Sequence, residues 1–234
     1  MTTPGFTPVN TAEATQFVQD LLLPTQRGKL IGSPDSFAND ADVQSALTSL
    51  HTRAHESAEL IGRITADLTV TTPVRHENAA KVAKRLAEAA ETTQRFLEGK
   101  AKDYTASSES VMGTRFVPNP ARDATYMRCA AWIEAQAKNG DGGYAKIREA
   151  ITDDPDFALT MYNTNWRLLG LPEDHAHSFK EKVVETYAPE ALEYIDTSLK
   201  LGKLAKRYPA FIASVHSSFY SPIELAKVRT RVVV

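Results

Sequence analysis

The chain has 234 residues, 42% of them hydrophobic and 24% charged, which places it among ordinary globular proteins and excludes a disordered or collagen-like one. Its formal net charge of −2 sets up no global field that would recruit nucleic acid or an anionic membrane. A single cysteine, Cys129, can form no internal disulfide and no zinc site by itself, so an intracellular, cytoplasmic setting is the expectation. The opening "MTTPGFTPVN" has no basic segment followed by an apolar run, so it does not read as a secretory signal, and runs such as "DLLLP" are far too short to cross a bilayer.

In chain order, residues 1–40 read as an irregular arm with one short helix. Asn10 and Glu13 have capping-box spacing ahead of Phe17, Val18, Leu21 and Leu22, and Pro24 is expected to end that helix. The glycines and prolines of 24–40 then read as loop. Residues 41–104 are expected to form a long antiparallel helical hairpin. Its first helix carries Val43, Leu47, Leu50, Ala54, Ser57, Ile61, Ile64 and Leu68 in alternating steps of four and three, a heptad stripe along about 40 Å of helix. Its second, over 76–103, repeats the spacing with Val82, Leu86, Ala89, Thr93 and Phe96. The β-branched "TVTTPV" between them predicts an extended connector.

Residues 105–119 are read as a polar connector with a short extended piece at Arg115-Phe116-Val117. A smaller multi-helix bundle with an extended tail is expected over 120–234. Asn119-Pro120, Asp154-Pro155, Pro172 and Pro189 mark its helix starts, Asn139-Gly140 and Gly170 its stops, and Pro209 and Pro222 break the remainder into short pieces. The final "RTRVVV" favours an extended strand. The fold class expected is therefore all-α, with short extended segments at connectors and C-terminus.

Two histidine clusters raise the question of a metal. In "PEDHAHSF" (172–179), helical geometry turns His175 and His177 in nearly opposite directions, so they cannot share one ion, and Glu173 and Asp174 read as first-turn acids favoured by the helix dipole. His51 and His55 are four apart and do share a face, with Glu59 a turn further on. This row drifts away from the heptad stripe toward solvent, and the HExxH order of zinc proteases is absent. The glycine-rich "NGDGGY" (139–144) lacks the lysine of a phosphate loop and the carboxylates of a calcium loop. No GxSxG or SxxK signature occurs, and Cys129 lies in an apolar helix as a small buried residue. No cofactor and no resident metal are expected.

The C-terminal third is polarised. Residues 151–196 hold ten acidic residues against three basic ones, a net of −7, whereas 197–234 hold Lys200, Lys203, Lys206, Arg207, Lys227, Arg229 and Arg231 against Glu224, a net of +6. Segments of opposite sign can neutralise each other within one chain, or join subunits head to tail. Tyr208, Phe211, Phe219 and Tyr220 interleave with the basic residues, which also admits a nucleic-acid surface. The sequence reading is a non-enzymatic structural or interaction subunit of a larger protein assembly, homo- or hetero-oligomeric, in the cytoplasm or in a particle assembled there, of which a viral or phage component is one example. Two alternatives stand beside it: a metal-dependent helical enzyme using His51, His55 and Glu59, and a nucleic-acid-binding protein acting through the basic C-terminal segment. Membrane association is not expected.

Overall fold

The structure, a computed structural model, describes residues 6–229. Those residues are helical almost throughout and contain no strand. Eleven α-helices are described: α1 Ala12–Leu22, α2 Pro24–Ile31, α3 Ala41–Ala66, α4 Thr72–Arg115, α5 Asp123–Ala137, α6 Asp141–Asp153, α7 Pro155–Asn163, α8 Glu173–Tyr187, α9 Pro189–Ala205, α10 Tyr208–Phe219 and α11 Pro222–Arg229. The all-α expectation therefore holds. The extended pieces expected at 69–74 and 115–117 are a bend leading into α4 and the end of that helix, and the terminal "VVV" lies outside the described residues.

The chain divides into two compact units. One comprises residues 1–100 and 200–234, the other 101–199, so α4 and α9 each contribute to both. In the first unit α1 packs on α3 and α10, around Val18, Leu21, Ile31, Leu47, Leu50, Ile61, Tyr208 and Phe219. Phe17 meets the rings of Phe211 and Phe219 at centroid distances of 5.9 and 6.4 Å, and Tyr208 donates its hydroxyl to the carbonyl of Ile31 at 3.0 Å. The second unit has its own core, built by α5 to α8 around Ile133, Ile147, Ile151, Met161, Phe179 and Val183.

Several boundaries differ from expectation, each for a local reason. The cap of α1 is Thr11 rather than Asn10: its hydroxyl accepts from the amide of Ala14 at 3.2 Å. Thr11→Ala should therefore cost about 1 kcal/mol in urea unfolding followed by circular dichroism, while Asn10→Ala should cost less than about half of that. Pro24 does not leave a loop behind it but opens α2, since a first-turn proline forgoes an amide hydrogen that has no helical partner there anyway. Pro73 and Pro209 likewise stand in first turns, so Pro209 starts α10 instead of breaking the chain. The largest correction concerns the supposed connector: residues 104–115 continue α4, with Ser108 buried and Val111 and Met112 packed on the second core. In the other direction, α7 stops at Asn163, short of the Trp166 and Leu169 expected along it, and a turn through Gly170 (φ +64°) follows.

Candidate functional site

Three places could carry function: the histidine row of α3, the basic residues after position 199, and a groove between α3 and α4.

In the histidine row, α2 covers the His51 end, while the side chains of His55 and Glu59 stay 41% and 50% exposed, as the drift toward solvent implies. His51 is half-buried and donates from Nε2 to the carbonyl of Gly32 at 2.6 Å. Burial lowers its pKa, with Arg27 acting in the same sense and the Gly32 carbonyl and Asp35 opposing. The buried Arg27 donates to the carbonyl of Leu21, at the C-terminal end of α1, and to His55 Nδ1 at 3.2 Å. On the other side of the ring, His55 Nε2 stands 3.5 Å from Glu59. Both nitrogens of His55 are thus engaged, and a guanidinium occupies the position from which a cation would approach. His51 and His55, through Gly32 and Arg27, tie α3 to α2 and α1, and Glu59 meets only His55 on its own helix. Among the described residues no group of three or more His, Cys, Asp or Glu side chains is arranged to hold a metal ion.

The two histidines of the other cluster make local contacts only on their own sides of α8. His175 stacks on Tyr144 at 4.2 Å and lies 6.3 Å from Phe179, whereas His177 is exposed and pairs with Glu181 at 3.2 Å. The divergence read from helix geometry is what the structure contains. Sequence reasoning did not single out His76, which is 2% exposed and accepts the backbone amide of Ser221 at 3.0 Å through Nδ1. A lone histidine near the start of a long helix offers no pattern to mark that role. Cys129 is buried, and burial, with Asp154 and Asp156 nearby, pushes its thiol up, away from nucleophilic reactivity.

The charge polarity resolves into local pairings on its acidic side. Asp156 is buried and meets Arg122, Glu190 meets Arg115 at 3.5 Å, Glu185 meets Lys182 at 2.9 Å, Asp154 caps α7, and Glu173 and Asp174 stand in the first turn of α8. On the basic side, Lys203 and Lys206 in and after the last turn of α9, with Arg207 following, are exposed and form no ion pair with any described residue. Lys200 is also exposed, Lys227 pairs with Glu224 at 2.6 Å, Arg229 ends α11, and Arg231 lies outside the described residues. The aromatics interleaved with these cations do not form a stacking platform: Tyr208, Phe211 and Phe219 are buried in the first core, and Tyr220 is half-buried against His216.

The groove lies between α3 and α4. Ala46, Ser49, Leu50 and Arg53 face Arg85, Glu88, Ala89, Thr92, Thr93 and Phe96 across about 530 Å³. It continues into a smaller depression of about 180 Å³ lined by Glu56, Ser57, Leu60 and Val82 together with the same two arginines. Arg53 and Arg85 are exposed and form no ion pair with any described residue.

No protein-family model, no curated protein and no solved structure matches the chain. No helix among the described residues is long and apolar enough to cross a membrane.

Proposed function

We propose that this protein is a non-enzymatic structural or interaction subunit of a larger protein assembly, working inside the cell. The observation that carries the reading is the exposed cationic group Lys203, Lys206 and Arg207, which pairs with no described residue and follows in sequence an acidic segment whose charges are largely used within their own unit. In sequence, Lys200, Lys227, Arg229 and Arg231 belong to the same basic segment, whose partner in this reading is an acidic protein, homologous or not. The nucleic-acid alternative loses the aromatics that would stack on bases, because three of the four serve the core. The metal-enzyme alternative loses its ligands to Arg27 and Gly32.

Within this reading α3 and α4 form an antiparallel hairpin, followed by a smaller bundle. Contacts at both ends support the hairpin: Arg75 donates to the carbonyl of Thr65 at 3.3 Å, and Lys100 reaches Asp42 at 2.7 Å and Asp40 at 3.8 Å. Light scattering tests the assembly. The expected result is a mass above that of one chain, or capture of an acidic protein partner lost on charge reversal at Lys203, Lys206 and Arg207. A strict monomer at high concentration and low salt, with no partner captured, sinks the reading.

A further inference from the structure

We infer that the α3/α4 groove is the face through which two copies of this chain associate, side by side, as a four-helix arrangement. The inference rests on the assembly and hairpin readings above and names the partner for one surface.

The carrying observation is the pattern of charge. Both helices bring an arginine to the groove with a glutamate three residues on: Arg53 and Glu56 on α3, Arg85 and Glu88 on α4. Residues three apart lie on one helix face. Both arginines line both parts of the groove, with Glu88 in the larger and Glu56 in the smaller; with the helices antiparallel, Arg53 falls level with Glu88 and Glu56 with Arg85, so the four charges form a checkerboard. Among the described residues none of these arginines and glutamates pairs across the groove; Glu88 meets Lys84, at 3.9 Å. A two-fold axis lying in the plane of this face brings each positive corner onto a negative one. The same holds whether the axis runs along the helices, setting Arg53 over Glu88 and Glu56 over Arg85 of the second copy, or across them, setting Arg53 over Glu56 and Arg85 over Glu88. A purely anionic partner would be repelled by two corners of four, whereas a second copy satisfies all of them.

Area and shape agree. The 26 residues of α3 span about 39 Å, and two helices side by side span about 20 Å, giving a face near 800 Å², the amount each partner buries in a standard interface. The floor between the charges is small or apolar. Ala46, Ala89 and Ser57 allow close approach, while Leu60, 36% exposed, and the half-buried Phe96 offer knobs for the facing helices.

Complementation between full-length variants tests the proposal. In R53E/R85E the checkerboard becomes wholly acidic, and in E56K/E88K wholly basic. Sedimentation velocity in low salt, from about 1 to about 200 µM, should show wild type associating and each variant alone weakened by about tenfold or more through like-charge contact. An equimolar mixture of the two should restore a 1:1 dimer, which also shows that neither variant is misfolded. Absence of that mixed dimer overturns the proposal. Wild type and both variants associating equally would also overturn it, leaving the assembly reading in place with its interface elsewhere. A wild type that stays monomeric across the range overturns it as well, and the assembly reading then stands or falls on capture through Lys203, Lys206 and Arg207.

Discussion

Truncating Phe179 to alanine is expected to destabilise the second unit by about 3–5 kcal/mol, the usual cost of removing a fully buried phenylalanine. Phe179 is 0% exposed on α8, among Ile133, Ile147, Ile151, Met161 and Val183, with the ring of Tyr144 at 6.3 Å. The neighbours are held by four helices and can collapse only partly into the space left behind, so a cavity cost adds to the lost transfer energy. Such a loss is a large share of the 5–15 kcal/mol typical of a whole domain. The measurement is local by good fortune of composition: both tryptophans of the chain, Trp132 and Trp166, pack against this core. Tryptophan fluorescence in urea therefore follows the second unit, while circular dichroism follows all helices. A shift below about 1 kcal/mol in the fluorescence transition of Phe179→Ala would contradict the packing described.

That residue closes the stretch "PEDHAHSF", whose geometry was legible without coordinates. A proline with two acids after it starts a helix, and a turn of 100° per residue separates His175 from His177. What could not be read was the partner that makes His175 useful: Tyr144 is the last residue of the glycine-rich stretch 139–144, more than thirty residues away. Gly143 is required there because a β-carbon would fall 1.9 Å from the carbonyl oxygen of Gln136. The turn was recognisable as a turn, but the close backbone approach behind it is a tertiary fact.

The α3 stripe shows the limit of periodicity more clearly. Val43, Leu47, Leu50, Ala54 and Ile61 are buried as the heptad implies, but Ala58 is buried in place of Ser57, and Leu68 is 82% exposed beyond the end of the helix. A strict 3.5-residue repeat drifts by about 20° per heptad around a straight helix, so the buried set slips by one position. On α4 the same slip exchanges Ala89 and Phe96 for Ala90 and Leu97. Residues 104–115 were illegible for a different reason. Serines and threonines weaken local helix propensity, and tertiary contacts such as the packing of Val111 and Met112 on the second core and of Tyr104 on Tyr194 carry the helix through them. For the candidate sites, the α3 histidine row was visible in the sequence but its meaning was not. Arg27, which occupies it, sits in a helix whose proline and glycine read as loop.

The second large effect expected concerns acid. His76 Nδ1 accepts the Ser221 amide, so the buried ring is neutral and carries its proton on Nε2. Burial holds its pKa below the ordinary 6.5; Arg75 and Lys227 push the same way, and Glu224 opposes them. A lowered pKa in the folded state means that the unfolded chain binds more protons once the pH drops below about 6.5, so stability declines from there toward the folded-state pKa. Protonation at Nδ1 also sets two donors against each other and releases the turn between α10 and α11 from α4. His51 adds a slope of the same sign, although its Nε2 bond to Gly32 survives protonation at the other nitrogen. The expected result is a urea midpoint that falls between pH 7.5 and pH 5.5, with the Ser221 amide losing hydrogen-exchange protection ahead of the core. His76→Asn, which keeps an acceptor near the Nδ1 position, should flatten the pH dependence at little cost at pH 8. His76→Phe should orphan the Ser221 amide and cost about 1–3 kcal/mol at every pH. If the Asn variant retains the full wild-type slope and early loss of Ser221 protection, protonation of His76 is not the event that loosens this corner.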